Sequence, residues 1–124
     1  MAAPRDSDLP VYTYHRHTIT YLGIPLVAGQ AVSFDRIGIS SPTIPVFGVL
    51  EFDAVAGQDV AIAVAGICQM IANSAIAVGS PIGVDSTSRA IFANAGNQIF
   101  GRALSATTAA GQKIQVLITR EGTT

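Results

Sequence analysis

Charge is scarce in this chain, tryptophan is missing, and cysteine occurs once. Only 12% of the 124 residues are Asp, Glu, Lys or Arg, where an ordinary soluble domain carries about a quarter. The seven basic and eight acidic residues are scattered, so no basic run or stripe offers a footprint for nucleic acid. A single cysteine, Cys68, excludes an internal disulfide framework and any cysteine-built zinc site. Between the apolar neighbours of "GICQM" it reads as a small buried hydrophobe.

The groups that do chemistry are equally thin. His15 and His17 flank Arg16 in an extended run, so their side chains share a face and could begin a metal site, but no third ligand is within obvious reach. Glu51 and Asp53 share a face in the same way; such a pair is more often the solvated end of a strand than an acid/base couple. There is no Gly-x-Ser-x-Gly elbow, no phosphate-binding glycine loop and no His-Glu-x-x-His. Neither an enzyme nor a cofactor or metal site is expected. The polar, charged start "MAAPRDSD" is not the pattern of a secretory signal.

What the chain has instead is apolar surface. Hydrophobic residues make up 49% and the mean hydropathy is +0.46. A domain of this length keeps much of its surface exposed, so part of that surface must be covered by a membrane or by other protein. Val60 to Val84 carries no charge and is long enough to span a bilayer. Against a span stand Gln69, Asn73 and Ser74 in its middle, the break "VGSPIG", and flanking Asp59 and Asp85 in place of Lys or Arg. The period-two alternation of "DVAIAV" belongs to a strand. No membrane is expected, and assembly with other subunits is.

The pattern along the chain is strand after strand, broken by Gly, Pro, Asn and Asp. "VYTYHRHTITY" is rich in β-branched and aromatic residues, and "AVSF", "VFGVLEF", "DVAIAVAGICQM", "SPIGVD", "RAIFA", "QIFGRAL" and "KIQVLITR" follow. Only "NSAIAVG" looks helical, with Asn73 or Ser74 as cap and Gly79 as stop. The reading is all-β, a compact barrel or sandwich with one short helical turn. Residues 1–21 form an extended N-terminal arm and first strand, residues 22–120 a single β domain, and residues 121–124 a polar tail.

One phrase recurs. Ala-Gly-Gln stands at Ala28-Gly29-Gln30, Ala56-Gly57-Gln58 and Ala110-Gly111-Gln112, each time leading into an apolar run. The longer stretches "FGVLEFDAVAGQDVAIAV" and "FGRALSATTAAGQKIQVLI" share the same order, and "AIAVGSPIGV" is a further relative with Gly79 at the turn. Gly29, Gly57, Gly79 and Gly111 are therefore expected to supply the positive φ of a repeated strand-entry turn. After it, Val60, Ile62 and Val64, and likewise Ile114, Val116 and Ile118, share one face.

These phrases, Gly48 to Val64, Ala75 to Val84 and Ile99 to Leu117, resemble the small capsid decoration, or cement, proteins of tailed bacteriophages, of the lambda head-decoration type. Met1 to Tyr21 departs from that pattern, being longer and more aromatic. The resemblance implies a β-tulip-like barrel bound to the outer surface of an icosahedral head, where it stabilises contacts between major capsid subunits. The partners so implied are the major capsid protein and further copies of the chain, a homotrimer first and a dimer second. In the arm, Leu9, Val11, Tyr12 and Tyr14 are the residues expected to contact the capsid or a neighbouring subunit. A surface carbohydrate- or ligand-binding β-module is the alternative, but the aromatic platform such a module needs is missing.

Overall fold

The computed structural model describes residues 14–124 of the protein. Eight strands make one strongly curled sheet that forms a half-barrel. They are β1 (Tyr14–Thr20), β2 (Ala31–Ser33), β3 (Val46–Leu50), β4 (Asp59–Ile71), β5 (Pro81–Val84), β6 (Ala90–Phe92), β7 (Gln98–Ala103) and β8 (Lys113–Thr123). The order across the sheet is β2-β3-β4-β8-β7-β5-β6, with β1 also paired to β4. Every pairing between named strands is antiparallel. The all-β reading of the sequence is what the structure shows.

Two details differ from it. Among the described residues there is no helix: Asn73 to Gly79 forms bends, a bridge and a turn. Its backbone is claimed from outside, because Ile76 exchanges N–H···O=C bonds with Thr107 at 3.1 and 2.9 Å, and that long-range bridge outweighs a local preference worth a few tenths of a kcal/mol per residue. The segment expected as a polar tail is also strand through Thr123, because β7 pairs with β8 as far as Gln98↔Thr123.

The sheet is one unit used twice. Gly29 donates its N–H to Leu50 O at 2.9 Å, and Gly79 donates to Ala103 O at 2.8 Å. Gly57 donates to Tyr21 O and Gly111 to Ala72 O, both at 2.7 Å. Leu26 bridges Ala54 as Ile76 bridges Thr107. Arg36 and Ser88 take matching positive φ values of 66° and 62°, each donating back to the residue three before it, Ser33 or Asp85. The first half thus runs from β1 to β4 and the second from β4 to β8.

β4 belongs to both halves. Its first part pairs with β1 from Thr20↔Asp59 to Tyr14↔Gly66, and its second part pairs with β8 from Gly66↔Ile118 to Ile71↔Lys113. The two halves bury side chains at equivalent positions: Ile19, Tyr21, Leu26, Val32, Leu50, Val60 and Ile62 in one cluster, and Met70, Ala72, Ile76, Ile82, Ala103, Ile114 and Val116 in the other. The second cluster also takes in Cys68 and Phe100 and, from the first half, Ala31, Ile39, Val46, Val49 and Ala63, so it spans both halves. Burial drives the Cys68 thiol up to about 12, which leaves it protonated and inert.

Candidate functional site

The repeated Ala-Gly-Gln phrase is a capped turn. In Val27-Ala28-Gly29-Gln30 the Gln30 N–H returns to Val27 O at 3.1 Å, and Gly29 sits at φ 96°. That is type II turn geometry, which needs a positive φ at its third residue. The Gln30 side chain then accepts the Val27 N–H at 2.8 Å. Gln58 does the same for Val55 at 3.2 Å, and Gln112 accepts from Ala109 N–H at 3.3 Å and, one residue further back, from Thr108 N–H at 2.7 Å. The glutamine recurs because its amide oxygen satisfies a donor that the turn leaves unpaired. Gly57, Gly79 and Gly111 stand at φ 87°, 85° and 90°.

Within each half the paired turns form one end of the sheet, and the two ends differ in chemistry at equivalent positions. In the first half Leu22, Val27, Phe34, Ile37, Phe52 and Val55 are all exposed, and Ile24 is 76% exposed. The residues in the corresponding places of the second half are Asn73, Ala77, Ser86, Arg89, Ser105 and Thr108, and the loop "LGIP" that holds Ile24 is replaced by "NSA". The backbone does the same work in both halves, so the fold does not require the apolar set. The second half has exposed apolar side chains of its own, Val78, Phe92, Leu104 and Leu117, but none at those six positions.

Local bonding gathers the first-half set. Leu22 donates its N–H to Arg36 O at 2.9 Å, which brings it beside Ile37. The Leu26–Ala54 bridge sets Val27 and Val55 on adjacent chains, and Asp53 accepts the Ala28 N–H at 2.9 Å, holding the Phe52 loop against the Gly29 turn. The buried Tyr21 hydroxyl donates to Ile24 O and so fixes the loop; burial raises its pKa. A groove of about 520 Å³ opens here, lined by Ile24, Leu26, Ile37 and Ile39, with Ser86, Thr87 and Ser88 along its other side. Phe34 stacks on Phe47 at 4.7 Å, with His17 at 5.5 Å from the same Phe47 ring.

The residues singled out in the sequence lie elsewhere. Glu51 pairs with Arg16 at 3.0 Å and Asp53 serves the turn, so the two carboxylates are occupied in structure. His15 and His17 lie on β1, and among the described residues no group of three or more His, Cys, Asp and Glu could hold a metal ion. Leu9, Val11 and Tyr12 lie outside the described residues; Tyr14 opens β1 at the rung Tyr14↔Gly66. Sequence reasoning missed the apolar end. Its signal was present in the repeat, since aligning the two long phrases sets Phe52 and Val55 against Ser105 and Thr108.

It also missed Arg120. This residue, at φ 51°, sends its guanidinium across to β3 and β4, donating to Val46 O at 2.6 Å, Phe47 O at 2.7 Å and Val64 O at 2.9 Å, while it lies 5.2 Å from the Phe100 ring centre. β3 and β4 pair only at Val49↔Ala63 and Leu50↔Ile62, so Arg120 fills the gap where they part. Partial burial lowers its pKa from the usual arginine value.

Residues 13–118 match the phage cement protein family, and the chain belongs to it. Among solved structures it is similar to the head fiber gp8.5 N base of bacteriophage phi29, with a TM-score of 0.71 and 21% identity over 87% of this chain and 98% of that one. At that identity the likeness speaks for the fold. No curated protein matches the chain.

Proposed function

We propose that the protein decorates the outer surface of a phage head and stabilises contacts between major capsid subunits, docking through the apolar end of its first half. The observation that carries this is the internal contrast. Leu22, Val27, Phe52 and Val55 are exposed on a backbone whose second copy folds with Asn73, Ala77, Ser105 and Thr108 in their places. Exposed apolar side chains that the fold does not need are surface awaiting a partner. The family supplies that partner, the shell. The protein works as an oligomer, a homotrimer first, so that several modest footholds act together at high effective concentration. Leu9, Val11, Tyr12 and Tyr14 make the further contacts, to capsid or to a neighbouring subunit.

The test is co-sedimentation with heads that lack the protein. Ile24→Asp combined with Phe52→Asp replaces two exposed side chains, so melting temperature should hold while head-bound protein falls about tenfold or more, the loss of roughly 1.4 kcal/mol or more of binding. Unchanged occupancy overturns the assignment of this face.

A further inference from the structure

The two halves meet face to face as well as through β4, and the chain uses that contact once. A row of residues crosses the first half through the rungs Arg16↔Ala63, Val49↔Ala63 and Ala31↔Val49. The equivalent row crosses the second half through Ile67↔Leu117, Arg102↔Leu117 and Pro81↔Arg102. Ala63 follows Ile62, and Leu117 follows Val116. Each row therefore lies on the outer face of its half, turned away from the side chains of Ile62 or Val116.

In the first half that outer face is covered. Ala31, Val49 and Ala63 are buried in one cluster with Cys68, Met70, Phe100, Ile114 and Val116 of the second half. The second half thus lays its inner face on the outer face of the first. Its own outer face has no such cover among the described residues: Leu117 is 38% exposed, with Pro81 and Arg102 half-buried beside it. Val78, at 64% exposure, and Leu104 extend this surface where the first half has Ala28 and Glu51. Arg102 brings no uncompensated charge to it, because Glu121 binds the guanidinium.

The other end of the series is open in the complementary way. The rungs His17↔Ile62 and Cys68↔Val116 make His17 the equivalent of Cys68, and the two Phe-Gly phrases make Phe47 the equivalent of Phe100. Cys68 and Phe100 are buried. His17 is exposed, Phe47 is only half-buried, and Phe34, stacked on Phe47, is 59% exposed.

We propose that the outer face of the second half, at Val78, Leu104 and Leu117, packs on His17, Phe34 and Phe47 of a second copy, repeating between chains the contact that the halves make within one. A second copy is the occupant because the fit is already built into the chain, where the inner face of one unit covers the outer face of the unit before it. The two faces are unlike, so the contact is head-to-tail and closes into a ring or continues as a row. This deepens the oligomer of the proposed function and makes no use of Ile24 or Phe52, the residues that test shell docking.

Sedimentation velocity on the free protein tests it. Val78→Asp with Leu104→Asp spoils one face and Phe34→Asp the other, so each variant should raise the dissociation constant of the oligomer about tenfold or more. Mixed at concentrations where each alone is monomeric, the two variants should form a dimer and nothing larger, because each keeps one intact face. A monomeric parent, a variant that assembles like the parent, or a mixture that stays monomeric overturns the proposal. The unsubstituted protein gives a reading that no variant can spoil. Hydroxyl-radical labelling of Phe34 and Leu117 should fall as protein concentration rises through the association range while Phe52 keeps its rate, and labelling at Phe34 and Leu117 that ignores concentration overturns the proposal as well.

Discussion

At the scale of single residues, backbone conformation and one guanidinium carry most of what is special here. A Cβ added at Gly57 or Gly111 meets nothing within 4 Å, so the only obstacle to a side chain is the φ of 87° or 90°. Gly57→Val and Gly111→Val should each cost about 1–3 kcal/mol, read as a lower midpoint in denaturant at unchanged slope. Asn, which tolerates positive φ, should cost less at either position. Arg120→Met leaves three strand carbonyls without their charged donor at a partly solvated site. The loss should be about 1–3 kcal/mol, and Arg120→Lys should recover only part of it, because an ammonium cannot span the separate oxygens as a planar fork does.

At the scale of elements, β7 and β8 are tied by Arg102 and Glu121, whose paired contacts measure 2.8 and 2.7 Å. Those bonds and one from Thr119 hold the Glu121 carboxyl down to about 2. A folded value below the ordinary one means stabilisation that is complete above the usual carboxylate pKa and fades as pH falls towards 2. The melting-temperature gap between the protein and Glu121→Gln should therefore be small near about pH 6, as exposed pairs contribute little, and narrow further towards about pH 2. Scanning calorimetry across that range checks it.

The elements were also where the sequence was most legible. Alternation in "DVAIAV" and "KIQVLI" is a direct imprint of one buried face, and the Ala-Gly-Gln phrase marks turns whose chemistry is local. Contacts between distant segments leave no such imprint. The Thr107 bridge that keeps Asn73 to Gly79 from being helical and the reach of Arg120 to Val46 depend on how the sheet curls. The apolar end was half-legible: its residues are scattered in loops and become a surface only when the Leu26–Ala54 bridge draws the loops together.

At the scale of the whole molecule, two cores share β4, and neither half can lose it alone. Unfolding should be a single cooperative transition, with calorimetric and van't Hoff enthalpies in agreement. Ile62→Ala in the first core and Val116→Ala in the second should shift that one transition, by about 2–5 and 1–3 kcal/mol respectively. A second, separate transition in either variant would mean that the halves are independent folding units.

The rung at Gly66, where β1 enters and β8 departs, has a mechanical consequence. Tension applied through Tyr14 and the end of β8 reaches β4 at one point. Pulled along β4, the β1 ladder from Tyr14 to Thr20 is loaded in shear, with its hydrogen bonds straining together. Pulled across β4, the same ladder peels one bond at a time. A molecule built this way resists force along one axis far better than across it.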